Sequence, residues 1–216
     1  MNQEIRSVRD LRRHQIVSAA RALVAEGGLE ALTIGGLERR LEFTRGVISY
    51  HFRDKDEIVA AVLESAVSEM DAATFAEAAA QASFEDRIRS VFRSKVMGFL
   101  THREAQRVLL SLWTRTDADE RAAALHARLF GGWRAQAVSL FRKAMTTGEC
   151  RSDLSPERLA GILVGNVVGV VVQTICEKDA LNVADLIDEA AEQTLARCRP
   201  EKVRPEVAQT EAFAGA

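Results

Sequence analysis

The stretch from Thr33 to Lys55 constrains the fold of this chain more than any other, because two short helices and a tight turn fill most of it. Thr33 is a favourable N-cap for a helix over 34–41, in which apolar residues recur at i, i+3 and i+7. Thr44 is a favourable N-cap for the next helix, over 45–51, so only Glu42 and Phe43 lie between the first helix and this cap. Two helices joined by so short a turn are typical of a helix-turn-helix, whose second helix lies in the major groove of DNA.

Composition indicates an all-α fold with enough apolar residues for a packed core. Hydrophobic residues make up 47% of the 216, long segments are rich in Ala, Leu, Glu and Arg, and there are only three prolines. Helical periodicity and cap signals predict an N-terminal three-helix domain over 1–57 and a larger helical domain over 58–199. The later helix starts are predicted from four N-cap residues: Asp54, Ser83, Ser155 and Asn182. The polar tail over 200–216, rich in small residues, is predicted to be disordered.

Positive charge is concentrated in the N-terminal quarter of the chain. Residues 1–55 contain ten Lys and Arg against seven Asp and Glu, whereas the whole chain has a net charge of −2. The remainder of the chain is therefore net acidic, and the positive excess coincides with the helix-turn-helix. A module that faces DNA phosphates requires this distribution.

The sequence offers little for catalysis, for a cofactor or for a metal. The histidines lack the H-E-x-x-H spacing, no G-x-S-x-G motif accompanies them, and no Gly-rich phosphate loop follows a strand. The three cysteines, Cys150, Cys176 and Cys198, contain no C-x-x-C pair, which argues against a zinc ribbon and a disulfide framework. We therefore expect a non-enzyme without a catalytic residue, cofactor or metal site.

The chain is expected to be cytoplasmic and without a membrane partner. Its first residues through Arg13 are polar and charged and lack the apolar segment of a signal peptide. The longest apolar run, 159–175, is short for a membrane span and is interrupted by Asn166. A buried helix is the predicted state of this run.

The order LxxEGGLxALTIxxLxxRLxxTRGxISYHFRDKDEI resembles the N-terminal DNA-binding domain of the TetR family of bacterial transcriptional regulators. The resemblance covers about residues 10–65, and the matching positions are Thr33, Thr44, Gly46, Tyr50, His51, Phe52 and Lys55. The turn departs from the family pattern, because Glu42 stands where glycine is usual. The segment SYHFRDKD is also similar to a subgroup, the choline-responsive repressors of glycine betaine synthesis.

Each residue type in this motif suits a particular contact with double-stranded DNA. Arg45 at the start of the second motif helix is suited to a bidentate bond with guanine. Gly46 allows close approach, and Val47 is suited to a thymine methyl group, although an inward position for Val47 is an alternative. Tyr50 and His51 could instead fill the domain core. The predicted DNA-binding residues are Thr33, Thr44, Arg45, Gly46, Val47, Ser49, Tyr50, His51 and Lys55.

The resemblance also implies a ligand-binding and dimerising role for the C-terminal domain. Aromatic side chains of its central helices are the candidate pocket for a small-molecule effector: Phe99, Trp113, Phe130, Trp133 and Phe141. Three glycines at i, i+4 and i+8 mark one face of a late helix, and they would allow close helix approach. The predicted homodimer interface combines this glycine face with two apolar residues of the last helix, and its members are Gly161, Gly165, Gly169, Ile187 and Leu195. Packing of the glycines within one chain is the alternative.

Together these features predict a ligand-responsive transcriptional regulator. We expect a homodimeric repressor that binds a palindromic operator and is released by a small-molecule effector. An α-helical protein-interaction module that retains the helix-turn-helix as a scaffold is the alternative.

Overall fold

The computed structural model describes residues 8–114, 117–177 and 182–200, and the regular secondary structure in these ranges is entirely α-helical. The all-α prediction is thereby confirmed. The predicted disorder of 200–216 falls outside the described residues, apart from Pro200. The helices are α1 (Val8–Gly27), α2 (Ile34–Leu41), α3 (Arg45–His51), α4 (Lys55–Ala79), α5 (Phe84–Thr101), α6 (Arg103–Trp113), α7 (Glu120–Thr146), α8 (Pro156–Cys176) and α9 (Val183–Cys198).

Helices α1, α2 and α3 pack around a small apolar core at the N-terminal end. Ile16 and Ala20 of α1, Leu37 of α2 and Ile48 of α3 are each fully buried in it. Phe52, directly after α3, is 3% exposed and closes the core. Helix α1 also contacts α4 and α6, so it belongs both to the N-terminal three-helix unit and to the contact with the rest of the protein.

Side-chain caps fix the helix starts that the sequence predicts. Thr33 Oγ1 accepts a hydrogen bond from Gly36 N at 2.9 Å, and Asp54 Oδ1 accepts one from Glu57 N at 2.9 Å. Ser83, Ser155 and Asn182 cap α5, α8 and α9 in the same way. Thr44 occupies the N-cap position of α3 in an extended conformation, but its side chain makes no cap hydrogen bond. Its predicted position is confirmed, while its side-chain bond to the helix is absent.

The C-terminal part is built on two helix pairs, α4 with α5 and α7 with α8. Phe92 of α5 and Phe141 of α7 are the largest fully buried side chains of its core. Helix α7 continues without a break through Gly131 and Gly132, where the poor helix propensity of glycine would allow a bend or a local opening. Nothing in the structure explains the two glycines, because a Cβ atom at either would meet no heavy atom within 4 Å.

Helix α8 is only partly covered by the rest of the chain. It is long and apolar enough to cross a membrane by length and composition, a test that core helices of soluble proteins also pass. Of its most apolar 18-residue segment, 39% is buried. The prediction of a buried helix is therefore met on one side of α8, and the other side is an apolar surface with Ile162 46% exposed.

Candidate DNA interface and ligand cavity

Helix α3 presents a continuous exposed face. Arg45, Gly46, Ser49 and Tyr50 are all exposed, and Tyr50 is exposed by 69%. Val47 is also on this side at 36% exposure, so the alternative of an inward Val47 is wrong. Most of the residues predicted to contact DNA are therefore brought together on one surface.

Arginines from the start of α1 lie beside this face and stack on aromatic rings. Arg9 lies 5.7 Å from the centre of the Tyr50 ring, Arg12 lies 4.6 Å from that of Phe43, and Arg13 lies 4.1 Å from that of Phe52. Cation–π contacts of this kind hold a guanidinium in place while leaving its charge on the protein surface. From the sequence alone, Arg12 and Arg13 at the start of this helix could reach a phosphate backbone, whereas Arg9 was missed.

Arg13 and His51 connect α1 to the end of α3. Arg13 Nη1 donates a hydrogen bond to the His51 carbonyl oxygen at 3.0 Å, and the His51 ring meets the Tyr50 ring edge-on at 5.1 Å. Burial lowers the pKa of His51, and the charges of nearby arginines lower it further. The imidazole is therefore neutral near pH 7, and the positive charge at this surface comes from arginines and lysine.

Arg45 makes no ion pair with any residue that the structure describes, so its guanidinium is available for a partner outside the chain. Thr33 and Lys55, predicted at the two ends of the motif, are already engaged within the protein. Thr33 caps α2, and Lys55 Nζ donates to the Leu29 carbonyl oxygen at 2.7 Å. Both remain exposed.

Glu42 forms the turn between α2 and α3 in a left-handed conformation, with φ 56° and ψ 28°. Within the described residues it is the sole non-glycine residue at positive φ. Glycine adopts this conformation without the steric cost that a side chain brings. The departure from the family pattern noted above therefore falls at a position whose backbone favours glycine.

A cavity of about 110 Å³ lies among α4, α5, α6, α7 and α8. Phe99, Trp113 and Trp133, three of the five residues predicted for a pocket, line it. Phe130 does not line it but lies next to it, with its ring parallel to that of Trp113 at 6.3 Å. Phe141 is fully buried against Phe84 at 5.9 Å, so its placement in the pocket was wrong. An aromatic residue in a helix is equally suited to the core, and sequence alone did not separate the two.

The cavity wall contains a buried lysine that sequence reasoning missed. Lys95 of α5 is 9% exposed and donates a hydrogen bond to Asp71 of α4. Gln136 Nε2 donates to the other oxygen of Asp71 at 3.4 Å. The available signal was a lysine in the middle of the apolar stripe of α5, between the buried Phe92 and Phe99.

The three glycines of α8 face away from the protein's own core. A Cβ atom placed at Gly161, Gly165 or Gly169 would meet no heavy atom within 4 Å, which rules out the alternative of close packing within the described part of the chain. Ile187 and Leu195 of α9, in contrast, are 4% and 3% exposed. Their assignment to a dimer interface needs correction, because their side chains are already buried in the core of the protomer.

An ion-pair network joins the N-terminal helices to the C-terminal part. Arg21 of α1 donates to Glu69 of α4 at 2.6 Å and to Glu104 of α6 at 2.7 Å. Arg107 of α6 adds a hydrogen bond from its Nη1 to the Val24 carbonyl oxygen at 3.0 Å. These bonds attach α1 to two helices, α4 and α6, that also line the cavity.

An exposed recognition helix in a three-helix domain, carried by a larger helical domain with an internal cavity, defines the class of helix-turn-helix transcriptional regulators. Residues 16–62 match the family described as "Bacterial regulatory proteins, tetR family". Residues 84–200 match the one described as "BetI-type transcriptional repressor, C-terminal". The chain belongs to the TetR family and has a BetI-type C-terminal domain. The family is non-enzymatic, which confirms the prediction of a non-enzyme.

Curated relatives are distant and match only part of the chain. The regulator "HTH-type transcriptional regulator BetI" of Burkholderia lata is 23% identical over 52% of this chain, and the match spans 58% of that relative. The protein of the same name from Burkholderia thailandensis is 26% identical over 50% of this chain and 56% of its own length. The chain thus spans little more than half the length of the curated relatives it matches.

Solved structures share the fold over most of the chain. A transcriptional regulator of the TetR family from Cytophaga hutchinsonii superimposes with a TM-score of 0.77 at 18% identity, covering 91% of this chain and 98% of that one. A regulator from Saccharomonospora viridis, solved in complex with choline, superimposes with a TM-score of 0.73 at 20% identity, covering 87% and 97%. At these identities the likeness concerns the fold alone.

Proposed function

We propose that the chain is a cytoplasmic homodimeric repressor that binds a palindromic DNA operator and leaves it when a small molecule occupies the cavity. The observation that carries the proposal is the exposed face of α3. It presents Arg45 without an internal ion pair and is flanked by the arginines at the start of α1. A surface of this kind supplies both base readout and phosphate attraction.

Individual contacts follow from residue chemistry and exposure. Arg45 reads a guanine edge, Gly46 lets α3 approach the bases, and Val47 contacts a thymine methyl group. Hydroxyl groups of Thr33, Thr44, Ser49 and Tyr50 bond to phosphates, as does the ammonium of Lys55. Lys55 can serve a phosphate with its remaining N–H groups while it keeps its bond to Leu29.

The dimer forms through the exposed face of α8. Glycines at positions 161, 165 and 169 cost roughly 0.8–1 kcal/mol each in a helix relative to alanine. Close approach of the same helix in a second copy offsets that cost, because small residues allow two backbones to pack tightly. A twofold dimer presents two copies of α3, which predicts a palindromic operator with half-sites about 34 Å apart or a multiple of that spacing.

Helix α4 provides a physical connection between ligand and DNA. It begins at Lys55, next to α3, and lines the cavity near its other end with Thr74 and Phe75. An effector that binds more tightly to a DNA-incompetent arrangement of α4 shifts the protein toward that arrangement. Choline is one compound to test, because the related regulator from Saccharomonospora viridis was solved with it.

Binding to the DNA upstream of its own gene tests the regulatory proposal. Fluorescence anisotropy over a salt series should show tight binding with a steep salt slope and preference for one palindrome. Arg45→Ala should relax preference at one base pair, with discrimination reduced by about 1–3 kcal/mol, while Lys55→Ala should weaken binding to all sequences. Arg134→Ala, a change at an exposed arginine on α7, is the matched control. Wild-type binding by both the Arg45 and the Lys55 variants would contradict the proposed DNA interface.

A further inference from the structure

We propose that the cavity binds an apolar molecule carrying one acceptor oxygen, as a carboxylate or a carbonyl, and that Lys95 Nζ binds this oxygen. The inference rests on the proposed function in one respect, because it names the chemical class of the effector. The choline-bound regulator from Saccharomonospora viridis would suggest a cationic ligand. The proposed ligand is instead an acceptor, because the ionisable residue that lines this cavity, Lys95, is itself a cation.

Lys95 is the sole ionisable residue among the described residues that line the cavity. Two other polar lining residues, Thr74 and Gln106, direct a donor to the protein itself. Thr74 Oγ1 donates to the Met70 carbonyl oxygen at 2.9 Å, and the Gln106 side-chain amide donates to the Phe99 carbonyl oxygen. The remaining wall is almost wholly aliphatic and aromatic. One ammonium in an apolar enclosure is the usual arrangement of a site that orients a ligand through a single polar group.

The ammonium has more donors than the protein uses. A lysine ammonium carries three N–H donors, and Asp71 is the one hydrogen-bond acceptor found for Lys95 Nζ among the residues described. The Trp133 ring centre lies 5.9 Å from Nζ, near the outer limit of a cation–π contact. Donors left without an acceptor in an apolar site are unfavourable, so an acceptor oxygen on the ligand is favoured there.

A quaternary ammonium would meet unfavourable charges in the same place. The face of Trp133 is already near one cation, and a second cation would be repelled strongly in surroundings of low dielectric constant. No Asp or Glu among the described residues lines the cavity to compensate it. Asp71 lies behind Lys95 and is neutralised by it. Choline therefore fits this cavity poorly.

Size and wall chemistry define the rest of the ligand. A volume of about 110 Å³ is comparable with engineered apolar cavities of roughly 150 Å³ that hold benzene. Branched aliphatic residues of α8 provide one whole wall: Leu163, Val164, Val167, Val168, Val171, Val172 and Ile175. The ligand body is therefore a small hydrocarbon chain or ring, and octanoate is a suitable probe.

Calorimetric titration of the full-length protein with octanoate, methyl octanoate and choline tests the assignment. Wild-type protein should bind octanoate and should not bind choline. Lys95→Met should weaken octanoate binding on the order of 10- to 100-fold, the loss expected for one charge-assisted hydrogen bond. The same variant should gain choline binding, because the Asp71 carboxylate is then released. Lys143→Met, at an exposed lysine on α7, is the matched control and should bind octanoate as wild type does.

The double variant Lys95→Met/Asp71→Asn guards against a folding defect, because it leaves no half-buried carboxylate without its lysine partner. It should bind neither octanoate tightly nor choline, with a thermal transition close to that of wild type. Binding of methyl octanoate within a few-fold of octanoate identifies the shared carbonyl as the recognised group. Binding of octanoate alone identifies the carboxylate, and either result supports the role of Lys95.

Two results would overturn the inference: choline binding by wild type without octanoate binding, or unchanged octanoate affinity in Lys95→Met. Failure of the proposed function is distinguishable from both. If octanoate binds through Lys95 but does not release operator DNA, the ligand class stands and the effector role falls. If the ligand-free protein binds no operator, the regulatory proposal falls and the calorimetric result is unaffected.

Discussion

Replacement of Glu42 by glycine should make the protein more stable, although it removes a side chain. The backbone of Glu42 is left-handed, with φ 56° and ψ 28°. For an L-residue this conformation costs about 1–2 kcal/mol. Glycine avoids that cost but loses roughly 0.5–1 kcal/mol more in backbone entropy when the chain folds. The conformational cost that is avoided exceeds the entropy cost that is added, so Glu42→Gly should raise the free energy of unfolding by about 0.5–1 kcal/mol.

Two further variants separate backbone conformation from charge. Glu42→Asn should give part of the gain, because asparagine enters the left-handed region more readily than glutamate does. Glu42→Gln removes the charge and keeps the conformational cost, so its unfolding free energy should stay close to that of wild type. Urea unfolding at one fixed protein concentration measures all three, since the stability of the proposed dimer would depend on concentration. Equal stability of the Gly and Gln variants would refute the conformational argument.

DNA binding should respond to charge at the same position. Glu42 is exposed and lies three residues before Arg45, so its carboxylate adds negative charge beside the proposed phosphate contacts. The Gly, Asn and Gln variants should all bind operator more tightly at low salt, and the gain should shrink as salt screens the interaction. Glu189→Gln, at an exposed position on α9, should leave affinity unchanged. A gain confined to the Gly variant would show that turn geometry, not charge, limits binding.

Three other outcomes follow from the structure. Arg21→Ala leaves the buried Glu104 without its guanidinium partner, so we expect the unfolding free energy in urea to fall by about 1–3 kcal/mol; an unchanged midpoint would contradict this. Gly165→Leu should shift the protein from dimer to monomer in sedimentation while its helical circular dichroism persists, because a Cβ atom at this position meets no heavy atom of its own protomer within 4 Å. Burial lowers the pKa of His126 below 6.5, so the unfolded state binds protons first and stability should fall as pH drops below that value; His126→Phe should reduce this dependence in thermal unfolding between pH 7 and 5.5.

Features with a local cause were predictable from sequence. An N-cap depends on one side chain and on the backbone a few residues ahead, so the starts of α2, α4, α5, α8 and α9 agree with the predicted ones. Thr44 is an exception, because the sequence predicted its N-cap position but not the absence of its side-chain hydrogen bond. Its residue type and position suit a cap, yet the conformation of the turn leaves the hydroxyl without a bond to the helix.

Periodicity predicted which residues are buried but not which partner buries them. Ile187 and Leu195 follow a helical stripe, and that pattern is the same for a face toward the protein's own α5 and for a face toward a second copy. Phe141 carries the same ambiguity between core and cavity. The glycines of α8 were ambiguous as well, and only the empty space around each one in the protomer distinguishes an outward face from an inward one.

The charge at the cavity depends on one contact between two helices, the ion pair of Lys95 with Asp71. No pattern within either helix predicts this contact. Lys95 on α5 and Asp71 on α4 are separated by the end of one helix, a turn and most of another, and each alone is an ordinary charged residue of a helix. Packing of α4 against α5 brings the two together and places the ammonium, not the carboxylate, among the groups that line the cavity. Had the two residues exchanged places, the composition and net charge would be identical, but the cavity would attract a cation. Resemblance in the DNA-reading motif therefore cannot determine the effector, and the ligand class proposed above rests on this pair instead.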